Sequence, residues 1–137
     1  MRRFALLEHV RGGSIHWDLL VEADPVGSGP LLSWAIDAEP SPGHDLPARP
    51  LPDHRRAYLN YEGPISGNRG TVRRVASGTC RIVASEPGRV AIMFDRDEAI
   101  IQRSFGDSVE LRGGAASAGG AWTARFESVE APGRDGG

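Results

Sequence analysis

Two histidines and an aspartate near the amino terminus have the residue types and spacing of a metal site. His16 and Asp18 lie two residues apart in the run His16–Glu22, where large apolar and polar residues alternate as in a β-strand. Side chains two apart on a strand project from one face, so this imidazole and carboxylate can bind one divalent cation. His9 ends an apolar run a short turn upstream. We interpret His9, His16 and Asp18 as a two-histidine, one-carboxylate site with coordination positions open for substrate and water.

A second group of chemically useful side chains occupies residues 53–59. Asp53 is a favourable N-cap, which predicts one or two helical turns here. Positions four apart share a helix face, so His54 and Tyr58 would project together, with Arg55 beside them. A histidine, a phenol and a guanidinium suit the oxygens and the leaving group of a phosphate ester. A surface turn with a packed tyrosine explains the same residues, and this alternative stays open.

Short strand-like runs separated by glycine and proline turns must position these residues. The turn residues Arg11–Ser14 predict a hairpin that carries both histidines near its tip. The proline-rich stretch Asp37–Pro52 has no periodicity, and we expect an ordered loop there. We predict a mainly β fold, a small antiparallel β-barrel with one or two short flanking helices. A curved sheet would give the polar face of the metal residues a sheltered concavity.

The composition predicts one globular domain. The chain has 137 residues, of which 39% are hydrophobic and 25% charged. We expect a domain over residues 1–130 and a disordered tail over 131–137. Its one cysteine, Cys80, cannot form an internal disulfide, and neither a signal-peptide core nor a membrane-spanning run is evident. We therefore expect a cytoplasmic protein that does not contact membranes and is a monomer by default.

The charge balance argues against broad, non-specific nucleic-acid binding. Sixteen basic and eighteen acidic residues leave a net charge of -2, whereas such binding needs a basic surface. Every basic side chain is arginine, which can bind phosphate oxygens through two parallel hydrogen bonds. A local basic pocket for phosphate therefore remains open.

Six short motifs follow one another in the first two thirds of the chain. They are Glu8-His9, His16–Glu22, Ser33–Ala35, Asp53–Tyr58, Tyr61–Ile65 and Gly70–Val72. In type and order these motifs resemble the 3'-phosphoesterase domain of bacterial DNA ligase D, the ligase of nonhomologous end joining. The resemblance is strongest to the short stand-alone members of that family.

This resemblance implies a small β-barrel with a manganese-dependent activity on nucleic-acid 3' ends. Such proteins remove a 3'-phosphate or trim a 3' ribonucleotide, which leaves a 3'-hydroxyl for polymerase and ligase, and these two enzymes are the implied protein partners. By motif position, His9, His16 and Asp18 match the family's metal ligands. His54 and Tyr58 match residues of its phosphate-handling site and would act as catalytic residues.

The sequence departs from the family pattern in the phosphate-binding half of the site. Leu20 stands where the family has an arginine, and the stretch 36–39 lacks the family's lysine. The arginines that could replace the missing cation are Arg49, Arg55, Arg69 and Arg11. Arg49 is the best candidate, because the family has an arginine shortly before the His54 position.

Two other functions stay open at this point. The missing cations would also fit a catalytically weak or inactive module that keeps the metal and binds phosphorylated ends or a protein partner. A phosphoesterase that acts on RNA or on a nucleotide would carry the same residues as one that acts on DNA.

Overall fold

The computed structural model describes residues 2–23, 31–51, 56–65, 67, 69–95, 100–101, 105–113 and 121–128. Within these ranges almost all regular structure is β-strand, and the strands form one antiparallel sheet. This confirms the predicted mainly β fold. No helix of the described ranges is long and apolar enough to cross a membrane.

Ten strands succeed one another along the described chain. They are β1 (Arg2–Arg11), β2 (Ser14–Glu22), β3 (Leu31–Ile36), β4 (Asp45–Pro50), β5 (Gly63–Pro64), β6 (Thr71–Glu86), β7 (Arg89–Phe94), β8 (Ile100–Ile101), β9 (Ser108–Gly113) and β10 (Trp122–Glu127).

The sheet closes in a ring. Its strands are hydrogen-bonded in the order β1-β2-β3-β4-β10-β9-β7-β6, and β6 also pairs with β1. The short strands β5 and β8 pair with β6 beside this ring. One face of each long strand is apolar and turned inward, where side chains such as Phe4, Ile36, Phe94 and Phe126 form the central core. Burial of this apolar surface is the main force that closes the ring.

The hairpin of β1 and β2 carries the predicted metal residues. Gly12 at its turn has a φ of 60°, which glycine adopts without the strain of a Cβ atom. The register pairs His9 with His16 and Leu7 with Asp18. Since directly paired residues project from one face, the hairpin brings the three polar side chains together on the outer face of the ring.

A second, smaller hydrophobic cluster covers part of this outer face. Its buried members are Ala5, Leu7, Leu20, Leu31, Leu59 and Val72. Leu59 comes from a 3₁₀ turn at Arg56–Leu59, and Tyr58 and Ile65 pack against the cluster from the same segment. The chain from residue 56 to residue 65 therefore shields the outer face beside the metal residues.

Two predictions about the connections are wrong in the described residues. Instead of flanking helices, the described ranges contain one 3₁₀ turn at Arg56–Leu59, which ends shortly before β5 begins at Gly63. The stretch predicted as a loop over residues 37–52 contains β4. Leu46 and Ala48 of this strand face the core. Pro47 has no amide hydrogen to donate, but its carbonyl oxygen accepts a hydrogen bond from the Asp37 amide, so proline is compatible with strand pairing here.

The predicted N-cap at Asp53 and the predicted tail over residues 131–137 lie outside the described residues. The proposed boundary of the domain at residue 130 therefore stays a prediction.

Candidate metal centre

His9, His16 and Asp18 converge on one point of the outer face. Nδ1 of His9 lies 3.2 Å from Nε2 of His16, and their ring centroids are 4.6 Å apart. The Asp18 carboxylate lies 3.0 Å from His16 Nε2 and 3.6 Å from His9 Nδ1. One nitrogen or oxygen atom from each residue falls within 4.8 Å of the others. The predicted residues thus form a cluster that could hold a metal ion.

The environment of Asp18 favours a cation at this point. Its side chain is 6% exposed, so a charged carboxylate here has lost most of its hydration. Oδ1 is buried and has no aligned hydrogen bond among the described residues, although His16 Nε2 is close. Two neutral imidazole nitrogens and one carboxylate oxygen form a donor set suited to a divalent transition metal. The residues present therefore fit the manganese ion that the resemblance implies.

The His9 ring is also held on its far side. Its Nε2 lies 2.8 Å from the backbone carbonyl oxygen of Arg69, which belongs to the loop between β5 and β6. Gly70 follows with a φ of 91°, and a Cβ atom there would lie 2.1 Å from the Val10 carbonyl oxygen. The loop therefore approaches β1 as closely as only glycine permits.

Arg49 lies in the same cross-strand row as Asp18. Asp18 pairs with Ala35 of β3, and Ala35 pairs with Arg49 of β4, so all three project from the outer face. Ala35, which lies between the acid and the base in this row, is fully buried. The Arg49 side chain is half exposed and makes an ion pair of 3.4 Å with Asp37.

The structure describes only some of the other residues that were predicted to handle phosphate. His54 and Arg55 lie outside the described residues, so the sequence prediction for them stands untested. Tyr58 is half-buried against the outer cluster, with its ring 5.7 Å from that of Tyr61 in an edge-to-face contact. Arg69 is exposed, and the contact it makes with the metal residues uses its backbone carbonyl.

Leu20 is fully buried in the outer cluster, where the sequence resemblance calls for an arginine. It lies on the face of Asp18 and pairs with Ser33 of β3. Ser33 is also buried, and its hydroxyl oxygen has no hydrogen-bond partner among the described residues. The Leu20 side chain therefore contributes hydrophobic packing at this position.

The roles of the Arg69 carbonyl and Gly70 were not predicted from sequence. A backbone oxygen carries no side-chain signature, and its contact with His9 spans sixty residues of chain. The glycine at position 70 was the available signal, because it marks a turn, but its close contact with Val10 depends on the ring closing between β1 and β6.

No family model matches the chain, and no curated protein matches it in a sequence search.

Proposed function

We propose that this protein is a metal-dependent 3'-phosphoesterase that removes a terminal 3'-phosphate from DNA or RNA ends and leaves a 3'-hydroxyl. The observation that supports it is the convergence of His9, His16 and Asp18 on the outer face, with Arg49 in the same row as the carboxylate. The ordered motifs that resemble the DNA ligase D domain indicate the substrate. In this proposal the closed sheet corresponds to the small β-barrel of that family.

His9, His16 and Asp18 would bind a cation without neutralising all of its charge. Two imidazoles and one carboxylate would leave the bound cation a net positive charge, which can attract a phosphate dianion. A bound Mn²⁺ ion would supply Lewis-acid activation of the phosphate and of a water molecule. The buried position of Asp18 strengthens each of these electrostatic interactions by excluding solvent.

The phosphate would lie between the metal residues and Arg49. The guanidinium can donate two hydrogen bonds to phosphate oxygens, and it would exchange its exposed pair with Asp37 for this stronger contact. Tyr58 would donate a hydrogen bond to a phosphate oxygen, and His54 would assist proton transfer to the leaving group, as the resemblance implies. Arg55 and Arg69 would add positive charge along the same path.

The test is phosphate release from a primer-template duplex that ends in a 3'-phosphate. We expect release with Mn²⁺ and none with a chelator, and we expect His16→Ala to abolish it while the circular dichroism spectrum is unchanged. Release that survives in His9→Ala, His16→Ala and Asp18→Ala alike would refute the proposed site.

The burial of Leu20 favours a second candidate, a module that keeps the metal and binds phosphorylated ends, or a protein partner, without hydrolysis. It would bind a fluorescent 3'-phosphorylated oligonucleotide in a Mn²⁺-dependent way and release no phosphate over many hours. A folded protein with this behaviour would refute the phosphoesterase and support the binding module.

A further inference from the structure

The contact between His9 and Arg69 defines which ring nitrogen of His9 carries hydrogen. A carbonyl oxygen can only accept a hydrogen bond, so the 2.8 Å contact requires that Nε2 of His9 donates to Arg69 O. In a neutral imidazole the other nitrogen is then an acceptor with a free lone pair. That nitrogen, Nδ1, is the one that faces His16 and Asp18.

The position of the Arg69 carbonyl is itself set by the loop 65–70. The amide of Ile65 donates to the carbonyl of Gly70 at 2.8 Å, which closes the loop on itself. Gly70 packs against the backbone of β1, where a Cβ atom would come within 2.1 Å of Val10 O and 3.0 Å of Arg11 Cα. The loop therefore cannot carry a side chain at this position without moving away from His9.

We propose that the loop 65–70 selects the Nε2–H tautomer of His9 and so presents Nδ1 as a ready metal donor. Arg69 acts as a positioning residue through its backbone carbonyl, and Gly70 is required for the approach. This inference rests on the metal site of the proposed function and adds how that site is prepared. Partners of this kind orient metal-binding histidines, and their loss typically lowers metal affinity about 10- to 100-fold.

His16 has the opposite role in this arrangement. Its Nε2 makes a hydrogen-bond contact of 3.2 Å with Nδ1 of His9, which is an acceptor when Nε2 of His9 carries the hydrogen. In the metal-free protein Nε2 of His16 therefore carries hydrogen. To donate a lone pair to a cation, His16 must lose this proton to solvent and take one up at Nδ1, which leaves its charge unchanged. His9 is thus the preset ligand and His16 the ligand that changes tautomer.

The first experiment measures the tautomers directly in the metal-free protein. Long-range ¹H–¹⁵N correlation spectra at alkaline pH, above the ordinary histidine pKa, distinguish the two protonated nitrogens. We expect Nε2–H for His9 and for His16, and a change to Nδ1–H for His16 alone when diamagnetic Zn²⁺ is added. An Nδ1–H tautomer of His9 in the metal-free protein would overturn the inference.

The second experiment compares two glycines of the same loop. Gly70→Ala and Gly67→Ala both place alanine at a positive φ, but of these two positions only 70 contacts β1. Among the described residues, the nearest atom to a Cβ at position 67 is 3.5 Å away on the Arg69 side chain. We expect Gly70→Ala to weaken Mn²⁺ binding 10- to 100-fold, as measured by free-Mn²⁺ electron paramagnetic resonance, and Gly67→Ala to keep it within about threefold.

Equal Mn²⁺ affinity in folded Gly70→Ala and in the wild type would overturn the role of the loop. If Gly70→Ala does not fold, the wild-type tautomer decides the inference. These experiments test the inference separately from the proposed function. A protein that shows the expected tautomers and Mn²⁺ affinity but releases no phosphate would refute the proposed enzymatic activity and leave this inference standing. A wild-type protein that binds neither Mn²⁺ nor Zn²⁺ would refute both.

Discussion

Asp18 and Arg49 lie in one cross-strand row on the outer face of the ring, two strands apart, with the buried Ala35 between them in the register. Adjacent strands are about 4.8 Å apart, so the two backbones are separated by roughly 10 Å. A phosphate bound at this row would contact a cation at Asp18 on one side and the exposed Arg49 guanidinium on the other. The row therefore places a guanidinium on the same face as His9, His16 and Asp18.

Replacement of Arg49 tests this relationship. We expect Arg49→Ala to lower kcat/KM for 3'-phosphate release by about 10²-fold, since it removes a charged phosphate contact. The free energy of unfolding should change by less than about 1 kcal/mol, because the Asp37 pair is exposed. Arg112→Ala, which removes an exposed arginine of β9 with a similar ion pair, is the matched control and should keep full activity. Equal activity losses in both variants would show a general charge effect.

An arginine at position 20, where the sequence resemblance has one, should destabilise the protein instead of activating it. Leu20 is fully buried in the cluster that also contains Leu59, and Leu20→Arg would place a guanidinium among apolar side chains. We expect a loss of about 3–5 kcal/mol in the free energy of unfolding in urea. The control Leu20→Met conserves volume and should cost less than about 1.5 kcal/mol. A stable, more active Leu20→Arg protein would show that the outer cluster is open enough to admit a charged side chain.

Metal binding should stabilise the folded chain. The donors of His9, His16 and Asp18 come together only when β1 and β2 pair, so the cation binds the folded state alone. At a free Mn²⁺ concentration one hundred times Kd we expect about 2.7 kcal/mol of stabilisation, seen as a rise in Tm. A chelator should reverse the rise, and Asp18→Asn should abolish it. A rise of equal size in Asp18→Asn would indicate that Mn²⁺ binds elsewhere.

Because of the protein's single cysteine, the free energy of unfolding should depend on pH in the alkaline range. Burial raises the pKa of the Cys80 thiol from its ordinary value of 9.0 to about 12. Between these values the unfolded chain loses the thiol proton and the folded chain keeps it. The contribution of Cys80 to stability is therefore complete below pH 9 and declines as pH rises toward 12. Urea unfolding at several pH values should show this decline in the wild type, and a smaller one in Cys80→Ala.

The same burial should protect the thiol chemically. We expect Cys80 to react with a disulfide reagent only after the protein is unfolded, because the thiolate is the reactive form. Rapid reaction in native buffer would contradict the burial of Cys80 in the core.

The sequence by itself determined the hairpin of β1 and β2 and the cluster of His9, His16 and Asp18. The alternation in His16–Glu22 and the turn at Arg11–Ser14 are local patterns, and local patterns suffice to place His16 and Asp18 on one face opposite His9. The alternation of Leu46 and Ala48 in β4 was concealed by the prolines around it, which carry no periodic signal.

Only the tertiary structure decided what surrounds the cluster. The row that joins Asp18 to Arg49 depends on the pairing of β3 with β4, and the contact of Arg69 with His9 depends on β6 closing against β1. Leu20 shares a face with Asp18 in the sequence pattern, yet whether that position meets solvent or Leu59 depends on where the segment 56–65 packs. These are pairings and contacts between separate elements of the chain, and no local preference of the residues encodes them.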